Sequence, residues 1–249
     1  MNEQQTIQQL RELKLNGMAQ ALEAQLDSPG FQSLPFSDRV ALLVEAECYC
    51  RDNRRQQRLL TQAKLKVRSA CLEDVDYRPR RGLDKAQMLS LGQCSWIERH
   101  QHLLITGPTG VGKTWLSCAF GMQAIRRGWS VAYYRVSRLL EEIEIARADG
   151  SLSSLRSKIA RCHLLILDDF GMSPLTDIGR QDLLEIVDDR TGTGAILIAA
   201  QLPVSKWYDY INEPTLADAI LDRIVHRAHK VELRGESMRK KRGLDDGEG

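Results

Sequence analysis

The chain has 249 residues, 43% of them apolar and 27% charged, and its 35 Lys and Arg against 33 Asp and Glu leave a net charge of +2. That suits one large domain, or a medium domain with a small partner, and it excludes a polyanion binder defined by bulk charge alone. No apolar run approaches the ~20 residues of a membrane helix, and the polar start Met1-Asn2-Glu3-Gln4-Gln5 lacks the apolar core of a signal peptide, so a cytoplasmic location is expected.

In chain order, residues 3–26 carry Leu10, Leu13, Leu22 and Leu26 near helical spacing, which predicts one helix stopped by Ser28-Pro29-Gly30. Pro35-Phe36-Ser37 opens a second helix, with Ser37 as its N-cap, running to about Arg68. Residues 51–68 hold seven Lys or Arg against Asp52 alone. Arg51, Arg54, Arg55 and Arg58 share one helix face at i, i+3, i+4 and i+7, Lys66 falls near the same stripe, and Leu60, Ala63 and Val67 lie roughly opposite as anchors. A row of guanidiniums at this pitch suits successive phosphates of double-stranded DNA and reads no base; the same pattern also describes a solvated basic face. Val40 and Val44 extend the stripe, so a break or bend is expected near Cys48–Cys50.

Residues 70–100, with Pro79, Gly82 and Gly92, have no clear period and read as a connector. From residue 101 strand and helix alternate. Strands are predicted at 102–106, 131–135, 163–168, 195–200 and 229–233, and helices at 113–127, 137–148, 152–161, 178–190 and 215–227. Continuous apolar strands such as Leu164–Leu167 fit a parallel sheet covered on both faces. The fold class is therefore α/β, a P-loop domain at 101–249 preceded by a small all-α domain at 1–69 and the connector at 70–100. Six cysteines, none in a C-x-x-C pair, read as reduced thiols rather than zinc ligands.

Gly107-Pro108-Thr109-Gly110-Val111-Gly112-Lys113-Thr114 is a G-x-x-x-x-G-K-[ST] loop between a predicted strand and a predicted helix. Its glycines let successive N–H groups turn inward at a phosphate, and the helix adds its positive end. Lys113 reaches the β- and γ-phosphates, and Thr114 holds Mg²⁺. Such a site also needs a strand ending in an acid. Leu164-Leu165-Ile166-Leu167-Asp168-Asp169 supplies it, with Asp168 as the Mg²⁺ partner and Asp169 as the base or water-orienter, although either acid could instead cap the next turn. No Asn-Lys-x-Asp guanine-reading segment occurs, which favours ATP.

With both motifs in place, the chain resembles the IstB family over nearly its full length: ATP-binding helper proteins of insertion-sequence transposition, related to the helicase loader DnaC and to DnaA within the AAA+ ATPases. The resemblance rests on Leu13–Leu22, Arg51–Arg55, Leu72–Tyr77, Gly82–Gln87, Leu167–Gly171, Leu202–Trp207, Ala219–His226 and Gly235–Arg239, in that order. It implies an arginine finger at Arg223, acting on a neighbouring subunit's ATP, and a phosphate sensor at Arg239, which could instead belong to a solvated basic tail. Arg223 could instead pair with Asp222 or Asp218 on its own helix. The resemblance also implies an AAA+ core without a C-terminal lid, ATP-dependent self-association into a ring or helix, and a transposase as partner. Two departures bear on hydrolysis. Asp168-Asp169 replaces the usual Asp-Glu, and Ala200-Gln201 stands where relatives have Ser-Asn polarising the attacking water. ATP hydrolysis is therefore expected to be slow, raised by DNA or a partner. A DnaC-like helicase loader is the alternative, and a small-molecule kinase a distant third.

Overall fold

The computed structural model describes residues 2–78 and 81–238, and of Gln32 the backbone alone. They form two compact units, one ending at Arg58 and the other beginning at Leu59.

In the first unit, α1 (Glu3–Glu12) and α2 (Asn16–Asp27) replace the single helix expected there. Lys14 has φ 62°, and a left-handed residue cannot continue a right-handed helix. A 3₁₀ turn follows at Pro29–Ser33, and then α3 runs from Phe36 to Ala63, its residues after Arg58 belonging to the second unit. This helix is continuous through Cys48–Cys50, where the sequence pattern predicts a break, and it ends before Arg68 because Lys64 turns out of it at φ 51°. The Pro35 carbonyl accepts the first helical N–H groups, from Asp38 and Arg39, at 3.1 Å each. Ser37 therefore sits inside the first turn and does not cap it.

The α2–α3 contact has a specific cause. Glu47 on α3 is buried, and its Oε2 accepts the N–H groups of Gly17 and Met18 at 2.8 and 3.2 Å. A carboxylate from elsewhere in the chain thus caps the first turn of α2, satisfying orphan donors and facing the positive end of the helix. A Cβ on Gly17 would fall 2.4 Å from the Ala46 carbonyl oxygen, so only glycine allows this approach.

The second unit is a five-stranded parallel sheet in the order β2-β3-β4-β1-β5. Its strands are β1 (His102–Thr106), β2 (Val131–Arg135), β3 (Leu164–Phe170), β4 (Ala195–Ala200) and β5 (Ala228–Glu232). Side chains alternate between two cores, as the period of two requires. Leu103, Ile105, Leu164, Ile166 and Leu197 face the core built with α6 (Lys113–Arg126). Leu104, Leu165, Leu167, Ile196 and Ile198 face the other, built with α7 (Val136–Asp149), α8 (Leu152–Arg161) and α9 (Asp177–Arg190), and with α10 (Trp207–Ile211) and α11 (Pro214–Val225).

The stretch read as a connector belongs to this unit's core. It holds α4 (Lys85–Gly92) and α5 (Ser95–Glu98), and it buries Met88, Leu91, Trp96 and Ile97. These helices are too short to display a period. α4 is set instead by its N-cap, Asp84, which accepts the Ala86 N–H at 2.9 Å.

Candidate functional site

The loop Gly107–Gly112 leaves the C-terminal end of β1, and α6 begins at Lys113. Two glycines have no substitute. Gly107 has φ 147°, and a Cβ there would lie 2.2 Å from the Leu233 carbonyl oxygen. Gly110 has φ 83°, and its Cβ would meet Ser237 Oγ at 2.1 Å. The chain after β5 thus lies against the loop, and the Met238 N–H donates to the Gly110 carbonyl at 2.9 Å. On the other side, Arg81 Nη2 donates to the Val111 carbonyl at 2.8 Å. Lys113 Nζ donates to the carbonyls of Gly107 and Pro108 at 2.8 and 2.7 Å, which curls the ammonium into the loop. Burial holds its pKa below the ordinary lysine value, an effect the Asp168 and Asp169 charges partly offset.

Thr114, the second residue of α6, donates from Oγ1 to Asp168 Oδ2 at 2.8 Å. Asp168 is 1% exposed at the end of β3. The same Oδ2 also accepts from Tyr133 Oη on β2 at 2.6 Å. Burial, then the bond to Asp168, pushes the Tyr133 phenol far above its ordinary range, so it remains a donor at neutral pH. The motifs did not point to Tyr133. Its only signal in the sequence was a polar tip in the apolar strand that pairs with the acidic one.

Asp169 differs from its neighbour. Leu167 pairs with Ile198 and Phe170 with Ala200, so β3 carries one extra residue there, a bulge. Asp169 adopts φ 58°. Its carboxylate is 3.4 Å from Arg135 Nε, with 38% of the side chain exposed, and it borders a groove of about 410 Å³ between α7 and α9. The Asp169 backbone carbonyl, rather than its side chain, accepts the Met172 N–H of the following turn. Gln201 directly follows Ala200, which pairs with Thr106 on one side and Phe170 on the other. It therefore follows the C-terminal end of an interior strand, between the strand that leads into the phosphate loop and the acidic strand.

Arg223 on α11 donates to Asp188 Oδ1 on α9 at 2.7 Å and to the Ala219 carbonyl at 2.9 Å. Asp222, one of the acids beside it in sequence, pairs with His226 instead. Arg239 lies outside the described residues. Arg51, Arg54, Arg55 and Arg58 are exposed on α3 in the first unit. Arg51 is bonded to Glu47 Oε1 at 2.7 Å, and Asn16, with its amide assigned the orientation that satisfies both groups, accepts from Arg54 at 2.9 and 3.1 Å. Lys66 is exposed but lies beyond the end of α3, so the helical stripe does not include it.

The donor set at the loop fits Mg²⁺. Thr114 and Asp168 offer one hydroxyl and one carboxylate, hard oxygens of the kind that ion takes when substrate phosphates complete its shell. Among the described residues no His, Cys, Asp and Glu cluster makes an all-protein metal site. No described helix is long and apolar enough to cross a membrane.

A phosphate loop between β1 and α6, acids ending β3, and the strand order β2-β3-β4-β1-β5 define a P-loop ATPase of the AAA+ class. Residues 8–245 match the family model described as IstB-like ATP binding protein, and the chain belongs to that family. It is 45% identical over 235 residues, 94% of this chain and 96% of the other, to the y4pL protein of Sinorhizobium fredii, which is named as an insertion sequence ATP-binding protein. It is 48% identical over 205 residues, 82% of this chain and 89% of the other, to the ATP-binding protein of insertion sequence IS1162 of Pseudomonas fluorescens. Among solved structures it is similar in fold to DnaI, with a TM-score of 0.57 at 20% identity over 71% of this chain and 93% of that one. AMPPCP-bound DnaA from Aquifex aeolicus gives a TM-score of 0.56 at 17% identity, over 74% of this chain and 56% of that one.

Proposed function

We propose that this ATPase binds target double-stranded DNA in an ATP-dependent manner, assembles along it, and assists a transposase in insertion-sequence transposition. The observation that carries the nucleotide half is the 2.8 Å bond between Thr114 and Asp168, which joins the phosphate loop to the acidic strand. The names of relatives at 45% and 48% identity support the insertion-sequence half. Likeness to the DnaC helicase loader, at 17% identity, concerns the fold alone, so a loader comes second.

In this reading the loop N–H groups and the start of α6 hold the phosphates of ATP. Lys113 exchanges its carbonyl partners for β- and γ-phosphate oxygens. Thr114 and Asp168 hold Mg²⁺, which when bound offsets charge on those phosphates. Asp169 orients the attacking water or takes its proton, and the Gln201 amide polarises that water from the adjacent strand end. Asp169 must first leave Arg135, and its side chain is one methylene shorter than glutamate, so turnover is slow until DNA or a partner intervenes. Arg223 acts on the γ-phosphate of a neighbouring copy, and Arg239 senses the phosphates within its own. A head-to-tail contact of that kind closes a ring or propagates a helix. Repetition multiplies the weak phosphate contacts of Arg51, Arg54, Arg55 and Arg58, with Lys66 as a separate contact.

Sedimentation of the protein with duplex DNA tests this, with and without a non-hydrolysable ATP analogue. Large particles are expected only with both, and not with Lys113→Ala or Arg223→Ala. A protein that stays monomeric with nucleotide and DNA, or normal assembly by either variant, overturns the reading.

A further inference from the structure

We propose that Tyr133 is a positioning residue of the nucleotide site, holding the Asp168 carboxylate in the orientation that Mg²⁺ requires. The proposal rests on the reading of Asp168 as the metal's carboxylate partner.

Asp168 is a carboxylate taken almost wholly out of water. The Lys113 ammonium acts on it as a charge at a distance, and its hydrogen bonds must come from hydroxyl groups. Two do, and they share one oxygen: Thr114 Oγ1 at 2.8 Å and Tyr133 Oη at 2.6 Å. The two donors are not equivalent. Thr114 belongs to the phosphate loop, and its hydroxyl oxygen is itself a metal donor, so its geometry shifts with what the loop holds. Tyr133 comes from β2, whose pairing with β3 runs from Val131 opposite Leu164 to Arg135 opposite Asp168. Its ring is buried in the core shared with Ile166, Leu116 and Phe120. The phenol therefore reaches Asp168 from the rigid sheet, independently of the loop. Partners behind a metal-binding group typically change metal affinity about 10- to 100-fold when removed.

The strand alternation explains how Tyr133 reaches an acid 35 residues away. Tyr133 lies opposite Ile166 on β3, two residues before Asp168. Ile166 and Asp168 share a face of the strand, so the long Tyr133 side chain spans one repeat of the pleat along the face it shares with them.

The test measures binding of a fluorescent, non-hydrolysable ATP analogue to the full chain as Mg²⁺ is titrated, and again in EDTA, for wild type, Tyr133→Phe and Asp168→Asn. Phenylalanine keeps the ring and removes only the hydroxyl. Each titration is run well below the variant's own thermal midpoint, so fold loss is not read as metal loss. Tyr133→Phe is expected to raise the half-saturating Mg²⁺ concentration about 10-fold, near the effect of Asp168→Asn, with binding in EDTA unchanged. A wild-type Mg²⁺ response in Tyr133→Phe, beside a shifted one in Asp168→Asn, overturns the positioning role and leaves Asp168 as metal partner. An unshifted response in Asp168→Asn overturns the underlying reading, and the proposal with it. Equal weakening of Tyr133→Phe with and without Mg²⁺ assigns the phenol to general packing and also overturns the proposal.

Discussion

The two units use charge in opposite ways. In the unit from Leu59 onward, the charged groups of the phosphate loop are held by backbone and buried hydroxyls: Lys113 by two carbonyls, Asp168 by Thr114 and Tyr133. In the helical unit, the basic row on α3 is open to solvent, yet Arg51 and Arg54 are engaged with Glu47 and Asn16 of the same unit. A cation inside a shaped loop states its ligand, because only certain anions fit. A cation on a helix face states less: bracing its own unit accounts for it as well as the proposed contact with a polyanion does.

The sharpest break of this contrast is Lys113→Ala. It should weaken ATP binding about 100-fold, since charge-assisted bonds to phosphate are each worth about 1.5–3 kcal/mol. Calorimetry checks this, and unchanged affinity would remove the loop from the function. Next in size, Arg54→Ala, Arg55→Ala and Arg58→Ala combined should flatten the slope of log K against log salt by about 2.7 for duplex DNA, at ~0.9 for each phosphate no longer neutralised. Asn16→Ala frees Arg54 without removing its charge and should bind as wild type. A triple variant with the wild-type slope would leave the row as a brace alone.

Smaller, and in the helical unit, Glu47→Gln should cost about 1–2 kcal/mol of stability at neutral pH. Burial opposes ionisation of Glu47, but the Arg51 guanidinium and the Met18 and Gly17 N–H groups outweigh it and hold its pKa below the ordinary 4.5. A lowered folded-state value means the stabilisation is complete above the ordinary value and is lost as pH falls through the lower one. Urea unfolding from pH 7 downward should therefore show wild type and variant converging in acid; a constant gap would contradict the cap. The smallest effect is expected from Arg135→Ala, which releases Asp169 and should raise basal ATP hydrolysis a few-fold. A slower variant would mean that the pair orients Asp169 usefully.

What the sequence disclosed followed the range of the interactions. The five strands lie within two residues of their predicted limits, and in the first four the signal is a largely apolar run; β5, with His229, Lys230 and Glu232, is the exception. The phosphate loop is a property of eight consecutive residues and was equally open to reading. Features that depend on pairing were not. Tyr133 meets Asp168 through strand register, and Glu47 meets Gly17 across 30 residues. The break at Lys14 was hidden because leucines on either side kept near-helical spacing through it. The core contribution of α4 and α5 was hidden by their brevity. Proximity in sequence offers Asp222 or Asp218 to Arg223, yet its partner is Asp188, which only the packing of α9 against α11 brings near.

The bulge in β3 has a consequence for how this protein tolerates change. Asp168 and Asp169 are chemically the same side chain, yet one is sealed against hydroxyls and the other opens on a groove. The contrast comes from a single peptide turned left-handed, so the two acids differ by address rather than by kind. Lengthening the second to glutamate changes reach at one address; deleting either residue would erase the distinction itself.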